Sequence, residues 1–156
     1  MEVKKIMVSS SAFQDGDKIP SKYTGVGADV SPPLSWNEPP AGVRSFALIM
    51  DDPDAPGRTF THWVIFNIPS GSRGLPEAVP VQDKLAVGAL QGKSDFGKIG
   101  YGGPYPPPGR PHHYQFTLYA LDKVLDLKAG ATKKQVSDAM QGHILAQGQL
   151  TGLYQR

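Results

Sequence analysis

The chain has 156 residues, no cysteine, and a formal net charge of +2 from 16 Lys and Arg against 14 Asp and Glu. This length fits a single domain, which we expect to span residues 1–156, and the lack of cysteine excludes disulfides and cysteine chemistry. The basic residues are scattered and form no stripe, so we expect no nucleic-acid partner.

The N-terminal segment predicts a weak edge strand over residues 3–8 and no targeting signal. Its two lysines are followed by an apolar run of only three residues, 6–8. A secretory signal needs an apolar core of about 7–15 residues. No stretch approaches the ~20 apolar residues of a membrane span. We therefore expect a soluble, cytoplasmic protein.

Glycine and proline, at 18 and 15 residues, gather in three clusters, at 25–40, 53–57 and 97–111. Apolar runs of strand length lie between or after these clusters, at residues 45–50, 63–68 and 114–121. This pattern is typical of a β protein with long structured loops. The run at 45–50 is almost entirely apolar, which predicts a strand covered on both faces.

One helix is predicted near the C-terminus. Thr132 can cap it, and Gln135 stands three residues on, where it can complete a capping box. Apolar residues follow at helical spacing up to Ile144. We expect Gly142 to weaken the middle of this helix and Gly148 to end it. The fold class is therefore mostly β, with helical elements near the C-terminus.

Residues able to do chemistry stand at the ends of the central strands. Asp52 and Asp54 follow the first strand, His62 begins the second, and the third begins with His112, His113 and Tyr114. A plain turn and structural histidines are the alternative interpretation. Strand alternation places His112 and Tyr114 on one face and His113 on the other.

Several motifs resemble those of the phosphatidylethanolamine-binding protein (PEBP) family, also called Raf-kinase-inhibitor-like proteins. The resemblance runs in order through Asp52-Pro53-Asp54-Ala55-Pro56, His62-Trp63-Val64-Ile65-Phe66-Asn67, Gly102-Gly103-Pro104 and His112-His113-Tyr114. The ending from His143 to Arg156 looks like the short bacterial and archaeal branch. The resemblance implies a large antiparallel sheet packed on a smaller one, with flanking helices.

The resemblance also implies a small pocket for phosphate, sulfate, acetate or a phosphoryl head group. Its residues would be the side chains of Asp52, His62, His112 and Tyr114, with backbone near Gly103 and Pro104. No catalytic residue, metal or cofactor is implied. His113 stands where the family more often has arginine, and residues 109–111 also depart from the family pattern, which affects loop shape more than pocket chemistry.

The resemblance further implies a cis peptide at Asp52–Pro53 and a second one at Arg58–Thr59. It also implies a homodimer.

We expect a binding or regulatory protein and no enzyme. In this hypothesis Asp52 orients His62 or His112, and the imidazole and the Tyr114 hydroxyl donate to the anion. The alternatives are an inhibitor of a protein kinase or a protease that acts through its loops, and a metal-dependent or acid–base hydrolase. The sequence has no Gly-x-Ser-x-Gly motif, which weakens the hydrolase alternative.

Overall fold

The computed structural model describes residues 2–156, so only Met1 of the predicted domain lies outside the described residues. Its regular elements are nine strands, one short 3-10 turn at Ser21–Tyr23 and one α-helix. In chain order these are β1 (Lys4–Lys5), β2 (Val8–Ser9), β3 (Leu34–Trp36), β4 (Ser45–Asp52), β5 (Phe60–Pro69), β6 (Gly74–Leu75), β7 (Leu90–Gln91), β8 (His112–Leu121), α1 (Lys133–Met140) and β9 (Ile144–Tyr154).

The strands form two sheets, as predicted. The larger sheet has the order β1-β9-β8-β4-β5-β7, and the smaller has the order β2-β3-β6. All neighbouring pairs are antiparallel except β1 and β9, which pair in parallel at one edge. The larger sheet is therefore mixed, and the predicted edge strand at residues 3–8 is divided between the two sheets.

The apolar run in β4 is buried on both faces, as its sequence predicts. Phe46 belongs to the core between the two sheets, where its ring centroid lies 5.3 Å from that of Trp36. Ala47 and Ile49 point to the other face, into a second core that includes Val136 of α1. Because successive strand residues alternate between faces, a strand enclosed by two cores carries no polar alternation.

The helix begins as predicted but ends early. The Thr132 hydroxyl accepts the Gln135 amide at 3.2 Å, and the Gln135 side chain accepts the Thr132 amide at 3.0 Å, which confirms the capping box. The helix ends at Met140, and Gly142 takes a left-handed φ of 80°. The prediction of a helix reaching Gly148 is wrong.

No helix within residues 2–156 is long and apolar enough to cross a membrane.

The residues after Gly142 form β9, which pairs with β8 from His112–Tyr154 to Leu121–Ile144. This long ladder satisfies the backbone hydrogen bonds along both strands. Helical spacing from Val136 to Ile144 was a misleading signal, because it joined residues on either side of a glycine that turns the chain. In the folded chain, burial alternates with a period of two from Leu150 to Tyr154, as expected for a strand.

Gly148 lies inside β9, next to β1 and to Ile6, which follows β1. The amide of Ile6 donates to the carbonyl oxygen of Gln147 at 3.1 Å, which holds the two segments together. A Cβ on Gly148 would overlap the carbonyl oxygen of Ile6. We expect Gly148→Ala to lower the free energy of unfolding by about 1–3 kcal/mol, because the N-terminal strand must move away. Urea denaturation measures this loss.

The matched control is Gly71→Ala. A Cβ at Gly71 meets no heavy atom within 4 Å, and the residue has no left-handed φ. We expect this variant to stay within ~0.5 kcal/mol of the parent. An equal loss for both variants would show that close approach of the two segments does not limit the residue at position 148.

Candidate functional site

The candidate site lies where three adjacent strands of the larger sheet meet at one end. β4 lies between β5 and β8 and runs antiparallel to both. Its last residue, Asp52, is therefore close to the first residues of its two neighbours. This topology brings Asp52 together with His62 of β5 and with His112 and Tyr114 of β8, and all four side chains line one cavity.

A bulge in β5 turns His62 toward this cavity. The register between β4 and β5 shifts by one residue after the Met50–Trp63 pair, so that His62 lies opposite no residue of β4. The imidazole meets the Tyr114 ring edge to face, with centroids 5.2 Å apart. Strict alternation would have placed His62 on the face opposite Trp63, and an inserted residue re-aims a side chain in this way.

The Asp52 carboxylate is the centre of the hydrogen bonding. His112 Nδ1 donates to Asp52 Oδ2 at 2.7 Å, and the two side chains are only 13% and 5% exposed. Asp52 Oδ1 accepts the backbone amide of Asp54 at 2.8 Å. Because Nδ1 of His112 is engaged, Nε2 on the other edge of the ring is the nitrogen left for a ligand.

The loop after β4 turns through trans peptides. No cis peptide bond is present within residues 2–156, so the predictions of cis bonds at Asp52–Pro53 and Arg58–Thr59 are wrong. The bond from Asp54 to the Asp52 carboxylate closes a side-chain turn that needs no cis bond. Gly57, with φ at 82°, then supplies the left-handed residue that reverses the chain.

His62 is held by a backbone carbonyl. Its Nδ1 donates to the Gly102 oxygen at 2.7 Å. Burial lowers the pKa of His62, although the Gly102 bond and the negative charge of Asp52 oppose this effect. His62 is therefore neutral at neutral pH and presents an Nε2 lone pair. Three aromatic rings surround the imidazole with centroids 5.1–5.2 Å away, those of Phe60, Phe96 and Tyr114.

Tyr114 is fully buried and adjoins Asp52. Burial, and after it the negative charge of Asp52, raises the pKa of this phenol well above its ordinary value. The hydroxyl therefore keeps its proton at neutral pH.

The cavity has a volume of about 230 Å³. Apart from the four polar side chains, its walls are apolar, and no lysine or arginine within residues 2–156 lines them. The sequence carries no polar signal for these wall residues, which lie on loops except for Phe60 at the start of β5. They are Ala55, Pro56, Phe60, Phe96, Tyr105, Pro106 and Pro107.

Gly103 and Pro104 do not line this cavity. The Gly103 amide donates to Asp29 Oδ1 at 2.7 Å, and the Pro104 carbonyl accepts the Gly25 amide at 2.8 Å. Their polar backbone atoms therefore hold the neighbouring loop at residues 25–29.

His113 points away from the cavity, on the side that alternation predicts. Its backbone amide and its Nδ1 both donate to Asp54 Oδ2 at 2.7 Å. These bonds lower the pKa of Asp54. His113 thus fastens the loop that carries Asp52, but its side chain is 55% exposed and touches the cavity only through that loop.

The described chain contains no group of three or more His, Cys, Asp or Glu side chains placed to hold a metal ion. In the cavity, the Nδ1 atoms of both histidines already donate to protein oxygens.

Fold and site together define a two-sheet β protein with a small cavity lined by histidine and aspartate at one end of the larger sheet. The chain belongs to the phosphatidylethanolamine-binding protein family, whose model matches residues 9–155. This membership confirms the resemblance drawn from the motifs.

Relatives from several organisms match nearly the whole chain. The UPF0098 protein of Methanothermobacter thermautotrophicus is 54% identical over 149 residues, covering 96% of this chain and 98% of the relative. The UPF0098 protein of Pyrococcus horikoshii is 46% identical over 158 residues, covering 99% of this chain and 79% of the relative.

Two crystal structures share the fold. A PEBP homologue of Chlamydia trachomatis superposes with a TM-score of 0.88 at 37% identity, covering 98% of this chain and 99% of the other. Escherichia coli YbcL, described as a member of the mammalian PEBP family, superposes with a TM-score of 0.90 at 34% identity, covering 97% and 99%.

The lowered pKa of His62 predicts a pH-dependent stability. The unfolded chain takes up a proton near the ordinary histidine pKa of about 6.5, whereas folded His62 takes it up only at lower pH. Acidification from pH 7 to pH 5 therefore favours unfolding. We expect His62→Gln, whose amide can still donate to Gly102, to lose less thermal stability over that range than the parent. Calorimetry measures the melting temperature of each protein against pH. If the melting temperatures of the parent and of His62→Gln fall equally between pH 7 and pH 5, His62 is not the group responsible.

Proposed function

We propose that the cavity binds phosphate, a phosphoryl head group or another small anion, and that the protein acts by binding and not by catalysis. The observation that carries this proposal is the buried bond between His112 and Asp52, with Tyr114 and His62 beside it. It fixes one imidazole with its free nitrogen available and places a phenol within the same small space. An anionic oxygen needs such donors in a site shielded from water.

Proton balance decides when this site can accept an anion. With both histidines neutral, their Nδ1 protons are engaged, so each Nε2 offers only a lone pair. The Asp52 carboxylate adds a negative charge. An unprotonated anion would therefore face acceptors, because the single proton of the Tyr114 hydroxyl is also drawn to the Asp52 carboxylate.

Binding must therefore bring a proton with the anion. A protonated His112 donates through both nitrogens, so it can satisfy Asp52 and the ligand together. A ligand that carries its own proton can instead donate to an Nε2 lone pair. Both routes tighten binding as the pH falls. His62 contributes at lower pH, because burial lowers its pKa.

The composition of the cavity supports binding without turnover. Asp52 and the two histidines, which are potential nucleophiles, are each engaged in hydrogen bonds within the protein. Asp52 accepts hydrogen bonds at both oxygens, which favours a positioning role over proton transfer. The homodimer and the kinase or protease inhibition that the resemblance implies stay predictions.

We expect the affinity for phosphate to rise as the pH falls from 8 toward 5, with His62 contributing at the acidic end of that range because burial lowers its pKa. Isothermal titration with phosphate and with phosphoethanolamine measures this dependence. Affinity that stays flat over the range would contradict the proposal, and so would hydrolysis of a phosphomonoester by the purified chain.

Two neighbouring histidines provide the matched variants. His112→Ala removes the donor and leaves Asp52 without its partner, so we expect at least a tenfold loss of affinity, on the order of one charged hydrogen bond. His113→Ala keeps the backbone amide that holds Asp54, so we expect a change of less than about twofold, as for exposed ion pairs. Equal losses would place the anion outside the cavity.

A further inference from the structure

A second, larger cavity adjoins the first. It has a volume of about 560 Å³ and lies among the loops at residues 25–29 and 94–105. Phe96 and Tyr105 line both cavities and form the boundary between them. A group anchored in the smaller cavity therefore meets these two rings where it extends toward the larger one.

Three side chains at the rim of the larger cavity pack directly against the backbone of glycine residues. The position of a Cβ on Gly102 lies 2.6 Å from the Phe96 ring, and one on Gly25 lies 2.9 Å from the Tyr105 ring. A Cβ on Gly100 would lie 2.9 Å from Val81. A side chain at any of these glycines would displace the rim, so the shape of the cavity depends on bare backbone.

The boundary residue Tyr105 is also held from another side. The Arg156 guanidinium stacks on its ring at 3.9 Å from the centroid, a cation–π arrangement. Arg156 Nε also donates to the carbonyl of Pro106 at 2.6 Å. The last residue of the chain thus fixes the segment that separates the two cavities, although Tyr105 itself is 53% exposed.

The rim of the larger cavity carries three large apolar side chains. Phe96, Tyr105 and Val81 are large apolar residues that remain 44%, 53% and 67% exposed although they line it. Its charged lining residues within the described chain are Asp29 and Lys98, and one oxygen of Asp29 is engaged by Gly103. Exposed apolar side chains gathered around a concave space are typical of a binding site.

We propose that the larger cavity is a subsite for an apolar, flat substituent of the same ligand whose anionic group occupies the smaller cavity. This inference rests on the proposed function. The ligand class is then a small organic phosphate or comparable acid that carries a ring or a similar apolar group. Aromatic walls and glycine backbone present flat surfaces to such a group, and the two shared rings connect it to the anion.

Isothermal titration of the full chain at one acidic pH tests this proposal with inorganic phosphate, phosphoethanolamine and 1-naphthyl phosphate. We expect 1-naphthyl phosphate to bind at least about tenfold more tightly than the other two, because binding transfers its apolar ring system from water into the larger cavity. If phosphate binds and the naphthyl ester binds no more tightly, the subsite is refuted while the anion site stands. If phosphoethanolamine binds tightest, the substituent is polar and the proposal is wrong. If none of the three binds, the anion site and the subsite both fail.

A pair of exposed valines gives the matched control. Val81→Asn makes the rim of the larger cavity polar, and we expect it to weaken 1-naphthyl phosphate by about threefold or more while phosphate is unaffected. Val87 is 63% exposed and lines neither cavity, so Val87→Asn should change neither affinity. Equal effects of the two variants on the naphthyl ester, or an equal loss of phosphate binding in Val81→Asn, would overturn the subsite.

Discussion

The hydrogen bond between His112 and the Asp52 carboxylate joins the beginning of β8 to the end of β4. This hydrogen bond is buried, and loss of the imidazole would leave a buried carboxylate without its partner, at a large cost in free energy. The imidazole of His112 is therefore held in one position. The second oxygen of Asp52 holds the loop through Asp54, and Asp54 is held in turn by His113. One carboxylate therefore fixes a strand, a loop and the available edge of His112.

The same geometry accounts for the electrostatic character of the cavity. Both histidines direct their Nδ1 protons into protein acceptors, one into a carboxylate and one into a carbonyl. No lysine or arginine among residues 2–156 lines the walls to compensate for Asp52. A site of this kind has little attraction for a bare anion, and its charge can be balanced only by protons. The proposed function thus depends on pH as a consequence of hydrogen-bond direction.

Much of the fold could be predicted from the sequence, because its signals were local. The apolar run of β4 and the capping box at Thr132 each depend on a few neighbouring residues, and both were confirmed. Strand β9 was missed because its alternating burial uses glycines at positions 148 and 152, where neighbouring backbone and side chains fill the space. No local pattern distinguishes such a glycine from one that ends a helix.

The candidate site was predictable in its polar residues and not in its walls. The polar residues stand in motifs at strand ends, and alternation separates His112 from His113. The direction of His62 depends on a bulge, which is a property of pairing between β4 and β5. Part of the apolar wall, including Phe96 and Tyr105, comes from distant loops that only the folded chain brings together.

The number of protons taken up on binding tests the central claim most directly. It is obtained by titrating the protein with sulfate at pH 7.5 in buffers of different ionisation enthalpy. Because sulfate carries no proton at that pH, the account predicts a net uptake of about one proton by the protein for each sulfate bound. Sulfate binding with no proton uptake would show that the cavity accepts a bare anion, and would contradict the account.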